Sequence, residues 1–283
     1  MKNFIYQLGN YISKIYLLVI PLKLLRKPLQ VFLNFSNFII SKREEKKQID
    51  TLLKKLNLSN RVESGIFKGM IYSSNKAFGS AFIPKIIGTY EIELKPFFED
   101  IFHLDFDLII DIGCAEGYYA NGLALKFPNT KVYAFDSNKT ARNLCLHNKT
   151  INSLSNVEIN SFCDFNFLYE NCKNRKSLIV CDIEGSEYDL FNVNKEFDCF
   201  KFSYLIIEVH DGVNHKIVEL LYKKFSKSHK IEEIYSTDDI FRPEKYSLDI
   251  DNNLNIKEKI FMYSENRLHI MRWLIMKPIE KTK

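Results

Sequence analysis

The sequence predicts an α/β protein built around a mostly parallel β-sheet. From residue 105 onward, short stretches rich in apolar and β-branched residues alternate with longer helical patterns, as in a series of strand–helix units. The short stretches, among them FDLIIDI and YLIIEV, are continuously apolar, which is typical of strands covered by helices on both faces. With 283 residues, of which 46% are hydrophobic and 27% charged, the chain can form one large domain with an extension, and global disorder is excluded.

The individual elements follow from the same alternation. Strands are predicted at residues 106–112, 131–135, 157–162, 177–182 and 204–209. Helices are predicted at residues 118–127, 140–152, 186–191 and 215–225. Two late strands at residues 230–235 and 269–276, with no helix predicted between them, are expected to close the sheet as an antiparallel pair. The pattern does not give the order of the strands.

Residues 1–55 are predicted to form a basic, amphipathic helical arm. Its first 47 residues carry nine Lys or Arg against two acids, a net charge of +7, so the remaining 236 residues contribute −2 to the total of +5. Charged residues and prolines interrupt the apolar ones, and no uncharged stretch reaches the roughly 20 residues that span a bilayer. No secretory cleavage site is recognisable. We expect the arm to pack on its own domain or on a second subunit, or to lie on an anionic membrane surface.

Charge and cysteine content limit the partners and the location. Because the basicity belongs to the arm, and only eight of the 40 basic residues are Arg, no nucleic-acid partner is predicted. The six cysteines form no C-x-x-C pair, and several lie in apolar stretches, where Cys is usually a small core residue. A cytoplasmic location fits best, with peripheral contact at the inner face of the membrane as an option.

A glycine-containing loop follows the first predicted strand. The sequence DIGCAEG lies at a strand-to-helix turn, where open α/β sheets bind ligands. A dinucleotide fingerprint would be G-x-G-x-x-G, but Ala115 and Tyr118 occupy the second and third glycine positions, so a pyrophosphate is not expected. The carboxylate of Asp111 suits an ammonium group instead. Gly113, Ala115, Gly117 and Tyr118 are predicted to contact the same ligand through the loop and the helix start.

Two further acids extend this pattern. Asp136 follows the second strand, where an acid can accept hydrogen bonds from both hydroxyls of a ribose. Asp164 follows the third strand and is predicted to accept from the exocyclic amine of an adenine. Each acid alone could equally be a turn or helix-cap residue. Ammonium, ribose and adenine without phosphate together indicate S-adenosylmethionine.

At this point the chain resembles class I S-adenosylmethionine-dependent methyltransferases. The resemblance rests on DIGCAEG with the following Tyr-Tyr, VYAFD at 132–136, DIEGSE at 182–187 and LIIEVH at 205–210, and the D-x-E-G-x-E motif is similar to the FkbM family. It covers about residues 60–275, and Ala115 departs from it where the superfamily often has Gly. The resemblance implies a Rossmann-like seven-stranded sheet that binds S-adenosylmethionine along the carboxyl ends of its strands. It also implies methyl transfer to an oxygen, typically a hydroxyl of a sugar or a secondary metabolite.

Transfer to a hydroxyl requires alignment of the reactants and removal of a proton. The candidate groups at the ends of the fourth and fifth strands are Asp182, Glu184, Glu187, Glu208 and His210. His210 is predicted to be the general base, because its ordinary pKa near 6.5 suits proton transfer at neutral pH, although it could simply cap a strand. Asp182 is predicted to shape the methionine end or the acceptor pocket, and Glu184 to lie beside it. Asp182, Glu184 and His210 could also bind a divalent ion, but acids from two strands do not define a metal site, and no metal is predicted.

The segment at residues 56–100 is predicted to cover the cofactor and acceptor site of a methyltransferase domain at 101–283. In it, Tyr90 and Glu91 are predicted to meet the acceptor or close over the cofactor, unless they only start a helix. Lys68 is a candidate contact for an anionic acceptor. Glu208 is, after Glu91, the second acidic residue predicted to contact the acceptor.

The predicted function is therefore an O-methyltransferase that acts on a sugar or glycan precursor in surface polysaccharide biosynthesis, with the arm providing membrane contact or self-association. Two alternatives remain open: a methyltransferase for another small N- or O-acceptor, and a non-catalytic protein that binds S-adenosylmethionine. An RNA methyltransferase is disfavoured by the −2 charge of the body.

Overall fold

The computed structural model describes residues 23–279, so residues 1–22 of the predicted arm lie outside the described part. The chain divides into two compact units, residues 1–58 and 59–283. In the first unit, helix α1 runs from Lys23 to Lys55 without interruption, although Pro28 lies within it. The predicted N-terminal helical extension is therefore confirmed over these residues. Among the described helices, none combines the length and apolarity needed to cross a membrane.

The second unit contains a seven-stranded sheet. Its helices are α2 (Phe82–Ile87), α3 (Lys95–Ile101), α4 (Tyr118–Lys126), α5 (Lys139–Ile151), α6 (Phe165–Cys172), α7 (Glu187–Phe191), α8 (Ile217–Phe225), α9 (Arg242–Lys245) and α10 (Ile256–Tyr263). Its strands are β1 (Leu108–Ile112), β2 (Lys131–Phe135), β3 (Val157–Asn160), β4 (Ser177–Cys181), β5 (Tyr204–Val209), β6 (His229–Tyr235) and β7 (Arg272–Pro278). The strand order is β3-β2-β1-β4-β5-β7-β6, and β1 to β5 pair in parallel. The predicted Rossmann-like, mostly parallel sheet is confirmed.

The register of the parallel strands aligns their carboxyl ends. Ile112 at the end of β1 pairs with Phe135 on β2 and with Cys181 on β4. The residues that follow these three strands therefore start from the same edge of the sheet, which is where ligands bind in open α/β folds. This register brings Gly113, Asp136 and Asp182 to one place.

The last two strands differ in part from their prediction. β6 and β7 pair antiparallel, as expected, and β7 lies between β5 and β6, a position that the sequence pattern did not give. The expectation of no helix between them was wrong, because α9 and α10 fall in that interval. The sequence signal there is weak: α9 has only four residues, and α10 is mixed, with Asn255 as an N-cap that accepts from the Glu258 N–H.

Two other local predictions also need correction. Strand β3 ends at Asn160 instead of Phe162, whose side chain is 76% exposed and lies in the following loop. Helix α6 was not predicted, and Asp164 is its N-cap, with the side chain accepting a hydrogen bond from the Phe167 N–H at 2.8 Å. Both differences arise in one short, mixed stretch in which neither periodicity is sustained.

The core lies on both faces of the sheet. Strands β1 and β4 are buried along their whole length, which accounts for their uninterrupted apolar sequences. On one face, Phe191, Phe200 and Phe225 pack around Phe197 with ring centroids 5.2–6.3 Å apart. All six cysteines are buried and free, as expected of small core residues.

The segment before β1 packs on helix α4. The ring of Phe67 lies 5.0 Å from that of Tyr118, and Phe98 stacks on Tyr119 at 5.5 Å. Phe67 also occupies the space beside Gly122, where a Cβ would come within 2.4 Å of the ring. This packing holds residues 78–94 along the carboxyl edge of the sheet.

Candidate active site

A cavity of about 360 Å³ opens at the carboxyl ends of β1, β2 and β4. One wall is the glycine loop, a second is formed by the residues after β2, β3 and β4, and the third is residues 78–94. The volume lies within the range of small-molecule sites, which is about 300–1,000 Å³. Of the predicted site residues, the lining includes Tyr90, Glu91, Asp111, Gly113, Ala115, Tyr118, Asp136, Asp182, Glu184 and Glu208.

The glycine loop is held tightly against the sheet. Gly113 has φ +89°, and a Cβ on it would lie 1.6 Å from the Asp182 carbonyl oxygen, so only glycine fits. The N–H groups of Gly113 and Cys114 donate to the Phe135 carbonyl at 2.8 and 2.9 Å. Gly117, at φ +90°, is the N-cap of α4 and lies behind the lining. The loop therefore offers backbone, rather than long side chains, to a ligand.

Ala115 occupies a left-handed conformation, with φ +48°. A Cβ in this region costs about 1 kcal/mol, and a β-branched residue costs more. We expect Ala115→Gly to leave the free energy of unfolding within about 1 kcal/mol of the wild type, and Ala115→Val to lower it by about 1–3 kcal/mol. Urea unfolding of both variants measures this. Equal stability of the Val and Gly variants would contradict the strained backbone.

Asp136 is fixed at the tip of β2 by backbone amides. One carboxylate oxygen accepts from the Ala115 N–H at 2.9 Å, and the other accepts from the Asn138 N–H at 2.7 Å. Arg142 secures the same turn by donating to the Asp136 carbonyl at 2.6 Å. Each carboxylate oxygen can accept a second hydrogen bond, so the side chain is held in place and still free to bind a pair of hydroxyls.

Asp111 lies deeper in the same wall. Its side chain is buried, and its Oδ2 atom has no hydrogen-bond partner among the described residues. Burial, together with the nearby charges of Asp182 and Asp136, raises its pKa to about 8, although a backbone hydrogen bond from Ala120 opposes the shift. A buried carboxylate oxygen without a partner is costly, so Oδ2 is poised to receive a cation.

Besides Gly117, three predicted site residues lie outside the lining. Asp164 is exposed and caps α6, whereas its neighbours Ser161, Phe162 and Cys163 line the cavity. Lys68 is exposed and does not belong to the lining. His210 lies just behind the lining and reaches it through Asp182 and Glu184.

A buried ion pair that the sequence analysis missed connects two walls. The Lys85 ammonium lies 2.5 Å from a Glu116 carboxylate oxygen, and both side chains are at most 3% exposed. Glu116 also accepts from the Phe78 N–H at 2.9 Å, and Lys85 donates to Ser80 at 2.7 Å. The available signal was a single charge in each of two uncharged surroundings, Lys85 in FIPKII and Glu116 in GCAEGYY.

The predicted catalytic residues meet at the ends of β4 and β5. The Nδ1–H of His210 donates to Glu187 at 3.0 Å, and Nε2 lies 3.4 Å from Glu184 and 3.6 Å from Asp182. Burial lowers the pKa of His210, but the hydrogen bond to Glu187 and the charges of all three carboxylates raise it more, so the net pKa is above its ordinary value. Burial and the charge of Glu91 raise the pKa of Asp182 to about 6.

A second network, centred on Arg267, was also missed. Its guanidinium donates to Glu91 at 2.7 Å, to Glu208 at 2.6 Å and to Glu265 at 2.7 Å. Glu91, which has a left-handed backbone, also accepts from the Tyr119 hydroxyl. Burial, followed by the charges of Asp182 and Glu91, raises the pKa of Glu208 well above its ordinary value, although Arg267 opposes this. Arg267 therefore fixes two of the predicted acceptor contacts.

Comparisons with known proteins give likenesses of fold. No protein-family model matches the chain, and no curated protein matches it. Precorrin-6y C5,15-methyltransferase from Geobacter metallireducens is 14% identical, with a TM-score of 0.42 over 70% of this chain and 92% of that one. The O-methyltransferase TomG from Streptomyces achromogenes, in complex with SAM, is 10% identical, with a TM-score of 0.40 over 61% of this chain and 74% of that one.

Proposed function

We propose that this protein is an S-adenosylmethionine-dependent methyltransferase. The observation that carries the proposal is the charge of the cavity. Six carboxyl side chains line it, and the one ammonium among the described lining residues, that of Lys85, is paired with Glu116. The six are Asp111, Asp136, Asp182, Glu184, Glu91 and Glu208. Arg267 pairs with Glu91 and Glu208, and the four remaining acids still disfavour a pyrophosphate and suit a ligand that carries an ammonium and a sulfonium group.

The site residues suit the parts of this cofactor in order. Asp136, held by two backbone amides, would bind the ribose hydroxyls. Asp111, with its unpartnered buried oxygen, would bind the ammonium of the methionine part. The loop of Ser161 and Phe162, which lines the cavity, would lie beside the base, where the exposed ring of Phe162 could cover an adenine. This arrangement supports S-adenosylmethionine without assigning any role to Asp164.

The acceptor that we propose is a hydroxyl of a sugar or glycan precursor. Tyr90 and Trp273 line the cavity together with Glu91 and Glu208. Aromatic faces combined with carboxylates that accept hydrogen bonds are suited to a polyhydroxylated ring. Proton removal is assigned to the edge formed by β4 and β5, where His210 can act as the base through the lining carboxylates of Asp182 and Glu184, or a bound cation can acidify the hydroxyl.

The cofactor assignment is tested by calorimetry on the full chain. We expect S-adenosylmethionine and S-adenosylhomocysteine to bind and NAD not to bind. Asp136→Ala should weaken both interactions by about 10-fold or more, because two charge-assisted hydrogen bonds are lost. Glu158→Ala, which removes an exposed acid on the neighbouring strand, is the matched control. Tighter binding of NAD than of S-adenosylmethionine would refute the assignment.

The acceptor is tested with labelled cofactor. The protein is incubated with a fractionated cell extract and S-adenosylmethionine that carries a labelled methyl group, and the product is identified by mass spectrometry. We expect the label on an oxygen of a carbohydrate. Label on a nitrogen, or on a nucleic acid, would overturn the proposed acceptor but not the cofactor.

A further inference from the structure

Three groups that can ligate a metal converge beside the cavity. Asp182, Glu208 and His210 each offer one atom, and these atoms all lie within 4.8 Å of one another. They come from the ends of neighbouring parallel strands, because Cys181 on β4 pairs with Ile207 on β5. The Oδ1 atom of Asp182 is buried and has no hydrogen-bond partner among the described residues. The set therefore combines a ligand geometry with an unsatisfied oxygen.

We propose that Asp182, Glu208 and His210 bind a divalent metal ion. Binding of the ion is independent of the proposed function, whereas its role in activating an acceptor hydroxyl rests on it.

Two of the ligands are already oriented by buried partners. Glu187 accepts from Nδ1 of His210 at 3.0 Å and is itself fixed by the Ile183 N–H at 2.9 Å, which leaves Nε2 facing Asp182. Arg267 holds one oxygen of Glu208 at 2.6 Å and leaves the other available. A carboxylate behind a histidine and a donor behind a carboxylate are the outer contacts that metal ligands generally have.

The charges at this point also favour a cation. Asp182 and Glu208 face each other, with Glu91 and Glu184 nearby, and Arg267 compensates only part of this charge. A divalent ion would neutralise the pair. The competing explanation is that a proton shared by Asp182 and Glu208, together with a protonated His210, neutralises the carboxylates without a metal. The experiment below distinguishes the metal from these protons.

The ligand set indicates the kind of ion. Two carboxylate oxygens suit Mg²⁺ and Mn²⁺, and the imidazole shifts the preference toward Mn²⁺. Bonds of about 2.2 Å would place opposite ligands roughly 4.4 Å apart, so small side-chain rotations close the site.

With the ion bound, a coordinated hydroxyl becomes more acidic, and His210 acts as a ligand rather than as the base. The exposed carboxylate of Glu184, 3.4 Å from Nε2, is then the group within reach of the released proton.

The test is a Mn²⁺ titration of the full chain followed by electron paramagnetic resonance, without S-adenosylmethionine. We expect about one Mn²⁺ per chain, with a nitrogen hyperfine coupling from the imidazole. Asp182→Asn and His210→Gln should weaken binding by 10-fold or more, and His210→Gln should remove the coupling. Glu187→Gln should weaken Mn²⁺ binding by about 10-fold, because the substitution disturbs the hydrogen bond that orients His210. Asp189→Asn, an exposed acid two positions along on the same helix, should leave it unchanged.

The outcomes separate the two proposals. No bound Mn²⁺ in the wild type at millimolar concentration, or a bound ion without nitrogen coupling, would overturn the metal site. If S-adenosylmethionine still bound in the presence of EDTA, the proposed function would stand without it. Mn²⁺ binding without S-adenosylmethionine binding would support the metal site and reject the cofactor. If Asp182→Asn does not fold, the proposal is still tested by the nitrogen hyperfine coupling in the wild type and by the comparison of Mn²⁺ affinity between Glu187→Gln and Asp189→Asn.

Discussion

Asp111→Asn is expected to weaken S-adenosylmethionine binding by about 100-fold or more, because the carboxylate would be the buried partner of the cofactor's ammonium. The same change should stabilise the unliganded protein at alkaline pH. Burial raises the pKa of this carboxyl from 3.8 to about 8. The same substitution is therefore expected to weaken cofactor binding and to raise the stability of the unliganded protein.

The sign of the stability effect follows from proton linkage. Below about pH 4 the carboxyl is protonated in both the folded and the unfolded chain, and its contribution to stability is fully present. As the pH rises toward 8, the unfolded chain ionises this group and the folded chain does not, so the contribution is progressively lost. Asn cannot ionise. The melting temperature of Asp111→Asn should therefore exceed that of the wild type at pH 8.5, and the difference should shrink toward pH 4.

Cofactor binding should show the same linkage. An ammonium beside Asp111 favours the carboxylate, so binding in EDTA should release a proton below pH 8 and become tighter as the pH rises toward 8. Calorimetry in buffers of different ionisation enthalpy measures the proton, and Asp105→Asn, at an exposed acid, is the control. Affinity that does not change between pH 6 and 8 would contradict the role of Asp111.

Lys85→Met is expected to lower the free energy of unfolding by about 3–5 kcal/mol. The substitution keeps most of the side-chain volume but leaves the Glu116 carboxylate buried without its partner, and breaking a buried ion pair from one side costs about this much. Because Glu116 also binds the Phe78 N–H, the wall at residues 78–85 should loosen and cofactor binding should weaken as well.

A double-mutant cycle checks this explanation. Glu116→Gln in the Lys85→Met background removes the unpaired charge and retains the shape, so it should recover a large part of the lost stability in urea unfolding. Lys95→Met, at a lysine whose side chain is 44% exposed, should change stability by less than about 1 kcal/mol. Purely additive effects of the two substitutions at 85 and 116 would show that the pair does not act as a unit.

The sequence alone determined the mostly parallel sheet and the edge of the sheet at which the cavity opens. A buried parallel strand is continuously apolar, and the turn after β1 needs Gly113 because a Cβ would meet the Asp182 carbonyl. Burial of a strand and the conformation of a turn each constrain residues that are adjacent in the chain, so both can be recognised from a short stretch of sequence. The same reasoning placed Asp111, Asp136 and Asp182 at one edge, because parallel strands end together.

Only the tertiary structure decided which groups act together. Arg267 binds Glu91, 176 residues away, and Lys85 binds Glu116, 31 residues away. Neither pair leaves a periodic pattern, because a side chain selects its partner by where the folded backbone places both groups. In the folded chain Asp164 caps helix α6, and Glu208 accepts a hydrogen bond from Arg267. Local spacing specifies an element, whereas the charge balance of a site depends on every segment that folding brings to it.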